Sequence, residues 1–95
     1  MEITSHARLR LSQRGIHDTE IAAVLQYGTA VHNGGALFYF MRRKDVPDSI
    51  NPSARWRLEG ITLVLDPNSE TLITAYKNRS ALRSIRRKRK EWVDT

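Results

Sequence analysis

Ala7 and Leu11 stand one helical turn apart in a segment, residues 5–14, whose other positions are polar apart from Leu9. That spacing predicts a short amphipathic helix with a narrow apolar stripe. Thr4 or Ser5 supplies a hydroxyl that can cap its first turn, and Gly15 suits the left-handed position that closes it. A second helix follows at once. Ile16 before its start and Ile21 in its first turn are spaced as a hydrophobic staple, and Asp18 and Glu20 lie where the positive end of the helix dipole favours acids. Its buried stripe is Ile21, Val24 and Leu25, and Gly28 terminates it.

Beyond Gly28 the period falls to two. Residues 29–32 read as a short strand, Asn33-Gly34-Gly35 as a tight hairpin needing positive φ, and residues 36–41 as a second strand. Phe38 and Phe40 fall on one face of that strand, Leu37, Tyr39 and Met41 on the other. Residues 42–53, with two prolines and several turn formers, read as a long exposed loop. Strand character is expected again over 56–65, a turn at 66–69, and a last strand over 71–76. The pattern predicts an α+β domain over residues 1–78: two N-terminal helices packed on an antiparallel sheet of three or four strands. Its expected core is Ala7, Leu11, Ile16, Ile21, Val24, Leu25, Phe38, Phe40, Leu63, Leu65 and Ile73. Residues 79–95 form a basic C-terminal extension, partly helical or disordered.

Charge sharpens this picture. The 95 residues hold 16 Lys and Arg against 10 Asp and Glu, a formal net charge of +6 and a pI near 10.3. Such a field favours a polyanionic partner, with RNA or another nucleic acid the first choice. Eight of the sixteen basic residues lie within 77–90, and residues 86–90 are an uninterrupted basic run. Within the tail, Leu82, Ile85 and Trp92 recur at three and seven residues, the trace of a thin apolar seam. The tail is either a solvated arm or a nucleic-acid contact surface. The nucleic-acid-binding candidates are Arg8, Arg42, Arg43, Lys77, Arg83, Arg86, Arg87, Lys88, Arg89 and Lys90. The longest apolar run, residues 36–41, is far short of a membrane span, no secretory leader is visible, and cysteine is absent, so a cytoplasmic protein without membrane association is expected. No metal or cofactor is expected: no histidine pair stands at one-turn spacing, no carboxylates cluster, and Asp45 with Asp48 is a weak pair.

His6, Arg10 and Arg14 recur one turn apart along the first helix, a titratable imidazole in line with two guanidiniums suited to an anion. The set His6-Ala7, Arg10, Arg14-Gly15-Ile16, followed by Glu20-Ile21, Gly28 and the closing Ile73-Thr74-Ala75-Tyr76, resembles the bacterial domain-of-unknown-function family 4258. The resemblance runs to Tyr76 and leaves the tail outside. Such domains resemble the superfamily of barnase, EndoU, colicin-type and RelE-like ribonuclease toxins. That implies a metal-independent endoribonuclease of toxin type, with His6 transferring a proton, Arg10 and Arg14 clamping phosphate, Thr74 and Tyr76 positioning groups, and an antitoxin protein as a partner. Thr74 and Tyr76 are two apart and share one face of the last strand; alternation does not say which. The plainer readings are a surface helix with a core-edge histidine, arginines paired with Asp18 or Glu20, an ordinary strand threonine and a strand-end tyrosine. They go with a non-catalytic nucleic-acid binder, or with a module whose basic tail docks an acidic protein.

Overall fold

The computed structural model describes residues 1–78. Helix α1 spans Ser5–Arg14 and α2 spans Asp18–Tyr27; strands β1 (Thr29–Asn33), β2 (Ala36–Phe40), β3 (Ile61–Leu65) and β4 (Leu72–Lys77) form one antiparallel sheet in the order β1-β2-β3-β4. This is the expected α+β architecture, with four strands. Thr4 caps α1, its hydroxyl accepting from the Ala7 N–H at 3.0 Å, and Gly15 closes the helix at φ 65°. At the hairpin, Gly34 and Gly35 both adopt positive φ, 60° and 79°, the requirement of a two-residue turn. Gly28 serves differently: its backbone is extended, but a Cβ there would meet the Val24 carbonyl oxygen at 2.5 Å and that of Phe40 at 3.0 Å.

The two faces of the sheet are chemically separate. One carries Met41, Ile61, Leu63, Leu65, Leu72 and Ala75, which pack with Ala7 and Leu11 of α1, the stapled pair Ile16 and Ile21, and Val24 of α2. The other gathers Phe38, Phe40 and Val64, with Val31, Ala36 and Tyr76 beside them. Phe38 and Phe40 are buried as expected, on the face turned away from the helices.

Two expectations are corrected. Residues 42–53 are not an extended loop running into a strand at Trp56: a 3-10 turn forms at Arg43–Asp45 and a third helix, α3, spans Pro52–Leu58. The alternation of Trp56 and Leu58 with charged neighbours mimics a strand, but local chemistry favours a helix. Asn51 accepts from the Ala54 N–H at 2.9 Å, Pro52 occupies the first turn, where its missing N–H is harmless, and Leu58 alone turns to the core. Gly60, at φ 87°, then redirects the chain into β3. The second correction is Ile73, which is 39% exposed, while Leu72 is fully buried. Thr74 pairs with Val64 but Leu72 with Leu65, so β4 carries an extra residue there, a bulge that reverses the alternation and turns Ile73 outward.

Candidate functional site at the edge of the sheet

β4 is an edge strand, and α1 lies against it. The chain enters along that edge: Thr4 N–H donates to the Leu72 carbonyl at 3.1 Å, Leu72 N–H to that of Glu2 at 2.8 Å, and the Thr4 hydroxyl to that of Ile73 at 3.1 Å. Ala7 and Leu11 fix the roll of α1. At about 100° per residue, Arg8 and Ser12 then fall on one flank, His6, Arg10 and Gln13 on the opposite one, with Arg14 near the end of the buried line. Arg8 reaches Asp18 of α2 at 3.8 Å, which identifies its flank as the one facing α2. The flank of His6 and Arg10 therefore looks away from α2, past the outer edge of β4. His6 and Arg14 are exposed, Arg10 is half-buried and donates to Gln13 Oε1 at 3.2 Å, and neither arginine has an acidic partner among the described residues. The carboxylates near α1 are engaged elsewhere: Asp18 by Arg8, and Glu20 by the His17 N–H and the Arg57 guanidinium.

Thr74 and Tyr76 lie together, half-buried, on the face opposite that on which α1 packs, in register with Val64 and Thr62. Burial pushes the Tyr76 phenol above its ordinary value, and a side-chain hydrogen bond with Thr62 opposes the rise without cancelling it. Tyr76 is accordingly a neutral hydroxyl at physiological pH, a donor and not a phenolate. The helix row and the strand pair thus stand on two sides of one strand edge. No hydrogen bond among the described residues joins the two sets.

The other basic candidates divide by environment. Arg42 is held within the fold. Its Nε and Nη2 donate to Asp45 at 3.0 and 2.9 Å, and its backbone N–H to the same carboxylate at 3.1 Å. Arg43 and Lys77 are exposed, while Arg83, Arg86, Arg87, Lys88, Arg89 and Lys90 lie outside the described residues. Nine of the sixteen basic residues but eight of the ten acidic ones fall in 1–78, so nearly all of the net charge resides in 79–95. Asp45 and Asp48 serve separate ion pairs, with Arg42 and with Arg55 at 3.9 Å. Sequence reading missed a cleft of about 270 Å³ lined by Arg43, Pro52, Arg55, Trp56 and Glu59. Trp56 is 61% exposed. Only the correct helix assignment for α3 could have shown that Trp56 faces outward while Leu58 faces the core.

Residues 3–77 match the model of the domain-of-unknown-function family DUF4258. The chain belongs to that family. Neither a curated protein nor a solved structure matches it. The match ends at Lys77, the last residue of β4. Among the described residues of this DUF4258 domain, no helix is long and apolar enough to cross a membrane.

Proposed function

We propose that this DUF4258 domain is a metal-independent endoribonuclease of toxin type whose substrate crosses the outer edge of β4. The observation that carries the reading is the flank of α1: an exposed imidazole with two guanidiniums, neither arginine having an acidic partner among the described residues, beside the edge strand that bears Thr74 and Tyr76. Cleavage of an RNA backbone needs a base for the ribose 2′-OH, cations for the charge that builds on the phosphoryl oxygens, and a proton for the departing 5′ oxygen. His6, exposed at the start of α1, exchanges protons. Arg10 and Arg14 bind the phosphate in the fork geometry that lysine lacks. Tyr76, kept protonated, and Thr74 donate hydrogen bonds that position the chain across the edge. The 2′ oxygen attacks phosphorus, the P–O5′ bond breaks, and the proton taken from the 2′-OH is balanced by one delivered to O5′.

A second reading draws on the concentration of charge in residues 79–95: a nucleic-acid binder in which the tail supplies the affinity and no bond is broken. His6→Ala separates the two. The ribonuclease reading expects the wild-type protein to cleave RNA in EDTA and the variant to bind RNA with similar affinity while losing cleavage by 10²-fold or more, about the contribution of one proton-transfer group. Unchanged cleavage by the variant removes His6 from the chemistry. No cleavage by either protein leaves the binder.

A further inference from the structure

The cleft beside α3 gathers an aromatic ring, two guanidiniums and a carboxylate that the proton-transfer chemistry does not use. Pro52, Arg55 and Trp56 recur at three and four residues along one side of α3, Glu59 follows at its C-terminal end, and Arg43 joins them from the 3-10 turn. Trp56 leaves 61% of its surface in solvent. Arg43 is exposed and forms no ion pair among the described residues, while the bonds from Arg42 to Asp45 fix the turn that carries it. Arg55 is held in place. Its Nη1 donates to the Val46 and Pro47 carbonyls at 3.3 and 3.1 Å, and its one acidic neighbour among the described residues, Asp48 at 3.9 Å, is fully exposed and offsets little of its charge. Glu59 is half-buried, again with no ion pair among the described residues.

We infer that this cleft binds one unpaired nucleotide of a single-stranded RNA, its base stacked on the Trp56 indole and its phosphate held by Arg43 and Arg55. An indole stacks on any base, and guanidiniums meet a phosphate in the fork geometry that suits it. Glu59 keeps the phosphate on the arginine side and accepts from the N–H groups that each base carries on its Watson–Crick edge. At about 270 Å³ the cleft is smaller than the roughly 300–1,000 Å³ of sites that enclose a drug-sized ligand, so it takes a single nucleotide. Bases within a duplex are stacked on one another and offer Trp56 no open face, which selects a single strand. Position fits as well. The Gly60 N–H donates to the Met41 carbonyl at 2.8 Å, so the cleft lies at the end of the sheet where β2 finishes and β3 begins; the exposed Lys77 pairs with Ile61 at that same end. A strand leaving the edge of β4 therefore finds a cation at the end of the sheet where the cleft opens.

In naming RNA the inference rests on the ribonuclease reading; the stacking itself requires no bond to be cut. The test uses the full chain with Trp92→Phe, which leaves Trp56 as the single tryptophan, and a short 2′-O-methyl single-stranded RNA that cannot be cleaved, so a protein without ribonuclease activity answers it equally well. Titration should quench the Trp56 emission to saturation, whereas inorganic polyphosphate, an anionic chain without bases, should leave the emission nearly unchanged. In the otherwise native chain, Trp56→Ala should weaken RNA binding by about 5- to 100-fold, the range for one base stacked on an aromatic ring, and Trp56→Phe, which keeps an aromatic face, should recover most of it. Arg43→Gln should lower the slope of log affinity against log salt by about 0.7, one phosphate contact. Trp56 emission that does not change when RNA saturates the protein, polyphosphate quenching it as strongly as RNA, or equal RNA affinity for wild type and Trp56→Ala overturns the inference.

Discussion

Asp45→Ala should cost this fold far more than a surface charge would. The Asp45 carboxylate is 11% exposed and accepts four hydrogen bonds: three from Arg42, through its backbone N–H, Nε and Nη2, and one from the Thr29 hydroxyl at 2.9 Å. It fastens the start of β1 to the turn that leaves β2, opposite ends of one hairpin. An exposed ion pair contributes about 0–1 kcal/mol, and breaking a fully buried one costs about 3–5 kcal/mol. With Arg42 32% exposed, water reaches part of the pair and the expected loss is about 2–3 kcal/mol. For a domain of this size that corresponds to a fall in Tm of roughly 10–20 °C. The assay is urea unfolding, repeated from pH 7 to pH 3. Burial alone would raise the Asp45 carboxyl, but the hydrogen bonds from Arg42 and Thr29 outweigh it and hold the group below its ordinary value. A depressed acid stabilises the fold above the unfolded-state pKa, about 3.9, and ceases to do so as the pH falls through the folded value. The difference between wild type and Asp45→Asn should therefore be full at pH 7 and narrow below about pH 4. A loss under about 0.5 kcal/mol for Asp45→Ala, or a difference that does not change with pH, would refute the reasoning.

Three further outcomes are expected. Gly28→Ala should destabilise by about 1–3 kcal/mol because its new Cβ meets two backbone oxygens, whereas Gly35→Ala, which meets nothing within 4 Å, should cost only about 1–2 kcal/mol of left-handed strain; denaturant midpoints of the pair check the order. Leu72→Ala should cost about 2–5 kcal/mol and Ile73→Ala much less, the reverse of what strict alternation along β4 implies, and thermal unfolding of the two variants measures it. Replacing all five basic residues 86–90 by glutamine should flatten the dependence of log affinity for single-stranded RNA on log salt by up to about 3–4, at roughly 0.7 for each phosphate no longer neutralised. A slope that stays put would show that those side chains touch no phosphate.

Local chemistry made much of the fold legible. The Thr4 cap, the Gly15 closure, the Ile16 and Ile21 staple and the Asn33-Gly34-Gly35 hairpin are each written in a few adjacent residues, and each forms as read. Two failures share a physical cause. Trp56 and Leu58 alternate like strand residues, yet Asn51 and Pro52 start a helix; Ile73 fits the period of β4 until one extra residue shifts it. Both depend on which hydrogen bonds the backbone finds in three dimensions, and periodicity cannot report that. The membership in DUF4258 was readable from His6, Arg10, Arg14, Gly15 and the Thr74-Ala75-Tyr76 run. That Thr74 and Tyr76 face away from the helices was not, because a period of two assigns residues to a common face without naming the side on which a helix lands.

The central claim, that an RNA strand crosses the edge of β4 from the His6, Arg10 and Arg14 row to Thr74 and Tyr76, is tested most directly by titrating the protein with a short 2′-O-methyl RNA, which cannot be cut, while following side-chain and backbone NMR signals. The account predicts that the His6 imidazole, the Arg10 and Arg14 guanidiniums and the amides of Thr74 and Tyr76 shift together and saturate with a single Kd. Shifts confined to Lys77 and residues 79–95, with His6 and Thr74 unmoved at saturation, would contradict it.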